Sequence, residues 1–149
     1  MDRYQDYVIK DGKFVGRFEE MYQNFPDPWS QASARSGGES VSRQCTILNM
    51  RRYGIRSVVE FGCGLGYYTN LIHQSTGAEI IGVDLSQTAI TKAQSLWPHL
   101  RFVVDNVQNL QAYARYDAIL FAEITWYILP DLDKLFDEIK KQAGERADY

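Results

Sequence analysis

The stretch Ser57–Tyr68, SVVEFGCGLGYY, decides the fold of this chain. Residues 58–61 are apolar and partly β-branched apart from one acid, and they predict a short buried strand. Glycines follow at alternate positions: Gly62, Gly64 and Gly66. Glycine is favoured where the backbone adopts a positive φ or where a ligand touches the main chain. Because residues 67–74 have helical character, the stretch predicts a nucleotide-type cradle with free N–H groups at the helix start.

Two classes of nucleotide-like cofactor bind to such a turn. The dinucleotide class uses G-x-G-x-x-G, with an acid about 20 residues later for the ribose. Here the third dinucleotide glycine would fall on Tyr67, whose ring would crowd the pyrophosphate or the helix–strand contact. Glu60, directly before the turn, would repel a pyrophosphate but could serve a ligand with an ammonium group. An NAD-type oxidoreductase domain is therefore the second hypothesis. Tyr67 and Glu60 both argue against it.

The segment E-x-G-C-G-x-G, from Glu60 to Gly66, resembles the first motif of class I S-adenosylmethionine-dependent methyltransferases. The resemblance implies S-adenosyl-L-methionine as the cofactor and S-adenosyl-L-homocysteine as the product. It also implies that the turn from Gly62, including Cys63, meets the amino-acid part of the donor. Glu60 would lie behind the turn, where it orients N–H groups or binds the ammonium through water. A tight turn without any ligand is the alternative.

A second strand, residues 79–84 (EIIGVD), ends in Asp84. This acid lies about 20 residues beyond Gly62, at the position where a carboxylate can accept hydrogen bonds from both ribose hydroxyls. Ser86 is the better N-cap for the helix that follows, so the pattern predicts Asp84 to be free for a ligand. Leu85, next to it, is assigned to the same cofactor contact.

A third strand, residues 100–104 (LRFVV), ends in Asp105. In the resembled family an acid here accepts a hydrogen bond from the adenine amino group, and the backbone of the next residue meets the ring. The resemblance therefore assigns Asp105 and Asn106 to cofactor binding. An aspartate that only starts a loop is the alternative for Asp105.

A fourth strand, residues 116–123 (YDAILFAE), ends in Glu123. The following E-I-T-W-Y-I-L resembles the S-E-V-L-Y-Y-L segment of nodulation-type and related small-molecule methyltransferases, where the strand tip faces both methyl donor and acceptor. This implies that Glu123 and Tyr127 face the acceptor, and that Glu123 also contacts the cofactor. For a hydroxyl acceptor Glu123 is the best base in the chain, whereas an amine could lose its proton in solution. A structural strand-end acid is the alternative for Glu123.

Residues 1–38 form a predicted N-terminal extension. The pair Asp11-Gly12 permits a tight hairpin, and residues 17–25 predict a short helix that prolines terminate. The arrangement F-E-x-M-Y…D-P-W, ending at Trp29, resembles the N-terminal extension of sugar-modifying and nodulation-type N-methyltransferases, which closes over the ligand. Trp29 is accordingly expected to contact the cofactor as part of a lid hinged on Gly37-Gly38. Packing of Trp29 on its own domain is the alternative.

Residues 39–149 are the predicted cofactor-binding domain. Its first helix, residues 39–53, is expected to bury one apolar stripe, with Ile47 beside it: Val41, Cys45, Leu48 and Tyr53. Four strands alternating with helices predict an α/β fold, a Rossmann-like three-layer αβα arrangement with a parallel sheet of strand order 3-2-1-4. The family sheet has seven strands, so the sequence is expected to be the N-terminal portion, truncated before strands 5–7.

Length and composition limit the classes to consider. With 149 residues the chain should form one core, and a net charge of −3 argues against a broad nucleic-acid footprint. No apolar run approaches the ~20 residues that span a membrane, and the polar start lacks the centre of a signal peptide. The two cysteines form no C-x-x-C motif, and without a histidine cluster no metal is expected. A cytoplasmic location is the default expectation.

The resemblance to these methyltransferases implies S-adenosylmethionine-dependent methyl transfer to an O or N atom of a small molecule, a sugar or natural-product intermediate. The expected partner is that acceptor, without nucleic acid or membrane, and a homodimer is compatible with the pattern. A third hypothesis is a non-catalytic, methyltransferase-like partner subunit, because the edge of the fourth strand needs a cover.

Overall fold

The computed structural model describes residues 3–33 and 39–147, with side chains up to residue 141. The helices are α1 (Phe18–Asn24), α2 (Val41–Tyr53), α3 (Tyr67–Thr76), α4 (Gln87–Leu96), α5 (Thr125–Ile128) and α6 (Leu132–Ala147). The strands are β1 (Ile9–Lys10), β2 (Lys13–Phe14), β3 (Ser57–Phe61), β4 (Glu79–Asp84), β5 (Arg101–Val104) and β6 (Ala118–Phe121). Short 3₁₀ helices occupy Tyr4–Tyr7, Val107–Tyr113 and Leu129–Asp131. No helix within these described ranges is long and apolar enough to cross a membrane.

The main sheet is parallel, with the order β5-β4-β3-β6. This confirms the predicted order 3-2-1-4 and the Rossmann-like α/β class. Glu60 on β3 is in register with Gly82 on β4 and Leu120 on β6, and Asp84 is in register with Val104. The acids that end these strands therefore meet at one edge of the sheet.

Both faces of the sheet are covered, as its near-continuous apolar strands require. On one face Val58 and Ile80 pack against Met50 of α2 and Ile72 of α3. Alternate residues of the same strands pack on the other face, against residues from the 3₁₀ helix Val107–Tyr113 and from α5 and α6: Leu110, Ile128 and Leu135. The predicted three-layer αβα arrangement follows from this alternation.

The prediction of which stripe of α2 is buried is wrong. Val41, Leu48 and Tyr53 are 77%, 60% and 68% exposed, and Cys45 is exposed as well. The helix instead buries the opposite stripe: Arg43, Ile47 and Met50. Both stripes have the three- and four-residue spacing of a helix face. Hydrophobicity alone selects the wrong one, because the stripe that is buried contains a charged residue.

The N-terminal extension packs directly on the sheet domain. The predicted hairpin is present, with Asp11 and Gly12 both at positive φ as a two-residue turn requires. In α1, the Glu19 carboxylate accepts hydrogen bonds from the Ser86 hydroxyl at 2.6 Å and from the Thr88 hydroxyl at 2.6 Å. These bonds, with one from the Thr88 N–H, hold α1 at the start of α4 and lower the pKa of Glu19 to about 2. The N-terminal segment is thus fastened beside the carboxyl end of β4.

Candidate cofactor-binding site

A cavity of about 250 Å³ lies at the carboxyl ends of the sheet strands, beneath the N-terminal segment. Most residues predicted for the site line this cavity: Trp29, Glu60, Gly62, Asp84, Leu85, Asp105, Asn106, Glu123 and Tyr127. Further aromatic side chains line it as well: Phe18, Tyr22, Phe61 and Tyr68. Among the residues that line it, four are carboxylates and one, Arg43, is a full cation. The cavity thus suits a ligand that carries positive charge and hydrogen-bond donors.

The glycine turn uses its own N–H groups internally. The N–H groups of Gly62 and Cys63 donate to the Val83 carbonyl at 2.7 and 3.1 Å, and the N–H of Gly66 donates to Cys63 at 3.0 Å. Two side chains complete the set. The N–H of Gly64 donates to Oδ2 of Asp84 at 2.9 Å, and the N–H of Leu65 donates to Oε1 of Gln31 at 2.8 Å.

Each N–H group of the turn from Gly62 to Gly66 therefore has a protein acceptor. These bonds do not test the expectation of free N–H groups at the helix start, because α3 begins at Tyr67, and that expectation stays a prediction. The N–H groups of the turn itself are not available to a pyrophosphate.

Three of the predicted cofactor residues do not line the cavity: Cys63, Gly64 and Gly66. Cys63 is fully buried and packs with Phe102. A Cβ on Gly66 would lie 2.6 Å from the Phe102 ring, and a Cβ on Gly64 would lie 2.5 Å from Oε1 of Gln31. Gly64 and Gly66 thus permit close contacts within the protein. A cofactor role for Cys63, Gly64 and Gly66 stays a prediction.

Asp84 is not free, contrary to the sequence-based expectation. Its Oδ2 accepts the Gly64 N–H and its Oδ1 accepts the Ser86 N–H at 3.0 Å, while the Ser86 hydroxyl caps α4 as predicted. Burial raises the pKa of Asp84, and these hydrogen bonds oppose the rise. Because a carboxylate oxygen can accept a second hydrogen bond, Asp84 remains a rigidly oriented acceptor on the cavity wall.

Asp105 is held in a similar way but is less buried. Its Oδ1 accepts the Asn106 N–H at 2.7 Å, and its Oδ2 accepts the Tyr113 hydroxyl at 2.7 Å and the Asn109 amide at 3.0 Å. Burial alone would raise the pKa of Asp105, but the three hydrogen bonds outweigh it and lower the pKa. Asp105 is therefore an ionised acceptor at the end of β5.

Glu60 and Arg43 form a buried, charged end of the cavity. Glu60 is 2% exposed, and burial raises its pKa to about 7, although the Thr69 hydroxyl donates to it at 2.6 Å. Arg43 is 6% exposed, with its guanidinium 4.5 Å from the centre of the Tyr68 ring. Its Nη1 has no hydrogen-bond partner among the described residues. The sequence pattern does not predict Arg43 for the site, because the apolar stripe of α2 lies on the opposite face of the helix.

Replacing Glu60 by glutamine should remove a pH dependence of stability. The folded-state pKa of about 7 lies above the ordinary 4.5, so the contribution of Glu60 to stability is fully present below about pH 4.5 and is lost as the pH rises through 7. At about 1.4 kcal/mol per pKa unit, the loss should approach about 3 kcal/mol. Glu60→Gln should lack this loss when urea unfolding is measured at about pH 5 and about pH 8.5. A difference between the two proteins that does not change with pH would contradict the prediction.

Glu123 has a strained backbone at the tip of β6. Its φ is +63°, in the left-handed region, where a residue with a side chain costs on the order of 1–3 kcal/mol. Such strain is concentrated at functional sites. Tyr127, one helical turn further, is held by Phe14 and Phe18, whose ring centres lie 5.5 and 5.2 Å away. The N-terminal segment therefore shapes the part of the cavity predicted to face the acceptor.

Trp29 both lines the cavity and packs on the protein. Its ring meets Tyr4 edge to face, with 5.2 Å between ring centres. The proposed hinge, Gly37-Gly38, lies outside the described residues. The lid therefore stays a prediction, while the packing of Trp29 on its own domain is present.

Residues 58–143 match the family described as methyltransferase domain. The chain belongs to this methyltransferase family. The matched range begins in β3 and ends in α6, so it contains the glycine turn and the three acids that end β4, β5 and β6. It excludes the N-terminal segment and Arg43.

Individual relatives agree with this family. The chain is 36% identical over 86 residues to the trans-aconitate 2-methyltransferase of Escherichia coli O139:H28, which is 57% of this chain and 34% of that protein. It therefore spans about a third of the length of the curated relatives it matches. The PH0226 protein of Pyrococcus horikoshii OT3 superposes with a TM-score of 0.61 and 26% identity, over 82% of this chain and 59% of that one.

The fold also resembles that of the methyltransferase PaMTH1 of Podospora anserina, described as bound to SAH. The TM-score is 0.51 and the identity 20%, over 76% of this chain and 53% of that chain. The class I S-adenosylmethionine-dependent methyltransferase family predicted from the glycine motif is thus confirmed.

Proposed function

We propose that the chain binds S-adenosylmethionine and serves methyl transfer to an O or N atom of a small molecule, a sugar or natural-product intermediate. The observation that carries the proposal is the chemistry of the cavity wall. Four carboxylates line it, and the N–H groups of the glycine turn are already bonded within the protein. This wall favours a cationic nucleoside without phosphates over a dinucleotide.

The residues that line the cavity match the parts of such a donor. Asp84 would accept hydrogen bonds from the ribose, and Asp105, with the Asn106 backbone, would meet the adenine. At the opposite end, Arg43 supplies an unsatisfied guanidinium N–H for the donor's carboxylate, and Glu60 supplies a carboxyl group for its ammonium. A buried guanidinium nitrogen without a hydrogen-bond acceptor is costly, so a carboxylate at Nη1 would relieve that cost.

The main task of the protein in this reaction is to place the methyl donor and the acceptor. The donor, when bound, supplies a methyl group that its sulfonium charge has already activated. Holding donor and acceptor in line can supply about 7–11 kcal/mol of barrier lowering. Glu123, with its carboxyl group at the strained tip of β6, would accept the proton of a hydroxyl acceptor, and Tyr127 would orient that acceptor.

Binding of the reaction product tests this proposal directly. Isothermal titration calorimetry of the chain with S-adenosylhomocysteine should give a saturable heat with one site. The same titration with NADH should give none, because the turn has no free donors for a pyrophosphate. Saturable binding of NADH, or no binding of S-adenosylhomocysteine by the folded chain, would overturn the proposal.

A further inference from the structure

Gln31, from the N-terminal segment, fastens the glycine turn. Its Oε1 accepts the Leu65 N–H at 2.8 Å, and its Nε2 donates to the Cys63 carbonyl at 3.3 Å. The other N–H groups of the turn are satisfied by β4 or by the turn itself. Gln31 is thus the N-terminal residue that completes the hydrogen bonding of the turn, and it also lines the cavity.

Asp27 holds Gln31 in place. Its carboxylate accepts the backbone N–H of Gln31 at 2.8 Å and that of Ala32 at 2.9 Å, which fixes the short loop between them. Asp27 is not among the residues that line the cavity. Asp27 therefore acts on a bound ligand indirectly, and its hydrogen bond to the Gln31 backbone is one route.

The two groups that Gln31 binds, the Cys63 carbonyl and the Leu65 N–H, lie on either side of Gly64 in the chain. Gly64 has a φ of +55°, and its N–H donates to Oδ2 of Asp84. A glycine backbone samples many conformations unless its surroundings restrict it. By holding Cys63 and Leu65, Gln31 holds the Gly64 N–H on the Asp84 carboxylate.

We propose that Gln31 is a positioning residue for the cofactor: it fixes the glycine turn and, through the Gly64 N–H, orients the Asp84 carboxylate. The proposal rests on the donor site described under the proposed function. It gives the N-terminal segment a defined part in binding, separate from that of a mobile lid. Sequence motifs alone do not reveal it, because Gln31 lies outside the matched family range.

The first test replaces Gln31 by methionine, which has similar length but makes no hydrogen bond. The substitution removes both hydrogen bonds that hold the turn. The affinity for S-adenosylhomocysteine, measured by calorimetry, should fall roughly tenfold, which is on the order of the free energy of one hydrogen bond. Gln31→Glu keeps an acceptor for the Leu65 N–H and should recover part of the loss. The matched control is Gln87→Met on α4, whose exposed amide donates to the Thr91 hydroxyl on the same helix and which should leave the affinity unchanged.

A double-mutant cycle then separates positioning from general structural support. In an Asp84→Asn background, Gln31→Met should weaken binding by less than about twofold, since the group it positions is already altered. Asp27→Ala should weaken binding in the wild type but add little to Gln31→Met. Equal losses in both backgrounds would overturn the positioning role.

Amide hydrogen exchange gives a readout that does not need ligand. In the free protein, exchange at Gly64 and Leu65 should be at least about tenfold faster in Gln31→Met than in the wild type or in Gln87→Met. This proposal alone would be overturned if a folded Gln31→Met protein bound S-adenosylhomocysteine as tightly as the wild type. It would also be overturned if exchange at Gly64 and Leu65 were unchanged in that variant. Failure of the wild-type protein to bind S-adenosylhomocysteine would instead overturn the proposed function, and this proposal with it.

Discussion

Asp84→Ala should destabilise the free protein by roughly 2–5 kcal/mol and also weaken S-adenosylhomocysteine binding by at least about tenfold. The substitution leaves the buried N–H groups of Gly64 and Ser86 without acceptors, and each such group costs about 1–3 kcal/mol. Urea unfolding measures the first effect and calorimetry the second. Stability and binding are coupled here because one carboxylate serves both.

Asp117→Ala is a matched control for this effect. Asp117 also accepts two backbone N–H groups, from Arg56 and Ser57 at 3.1 and 3.0 Å, but it lies exposed at the opposite edge of the sheet. Water can replace it there, so the loss should be below about 1 kcal/mol with binding unchanged. Wild-type stability in Asp84→Ala would contradict the hydrogen bonding, and a destabilised protein with full affinity would contradict the ribose role.

Arg43→Met should act on stability and affinity in opposite directions. The free protein should be as stable as the wild type or more so, because a buried guanidinium with an unsatisfied Nη1 is replaced by an apolar side chain of similar length. S-Adenosylhomocysteine affinity should fall about 10- to 100-fold, the value of a hydrogen bond to a charged group. The affinity for 5′-methylthioadenosine, which lacks the amino-acid part, should not change.

The same helix provides the control for Arg43. Arg52 lies exposed near the end of α2 with its guanidinium 5.6 Å from the Tyr53 ring, so Arg52→Met removes a comparable contact outside the cavity. Arg52→Met should leave the affinities for S-adenosylhomocysteine and 5′-methylthioadenosine unchanged. Equal losses for both ligands in Arg43→Met would assign Arg43 to the nucleoside or to the fold, and no loss for either would remove it from the site.

The fold could be predicted from the sequence because its signals are local. A parallel strand covered on both faces needs a short apolar run, and each run here ends in an acid or a glycine turn. Ser86 marks the start of a helix by chemistry that involves only neighbouring residues, and the structure has it as the N-cap of α4. The order of the four strands then follows from right-handed crossovers.

The orientation of α2 could not be predicted in the same way. Two opposite stripes have helical spacing, and the one that contains Arg43 becomes buried only because Tyr68 offers its ring face and the cavity offers acidic surroundings. Tyr68 lies on another helix. No pattern within α2 contains that information.

The sequence by itself determined the parallel sheet, the position of the glycine turn and the edge at which Glu60, Asp84, Asp105 and Glu123 meet. Only the tertiary structure decided which groups of that edge are available. It shows the turn N–H groups occupied, Asp84 bonded on both oxygens, and Gln31 and Arg43 on the cavity wall. The physical reason is that strand and turn signals arise between adjacent residues, whereas hydrogen-bond partners such as Gln31 and Leu65 are distant in the chain and meet only after folding.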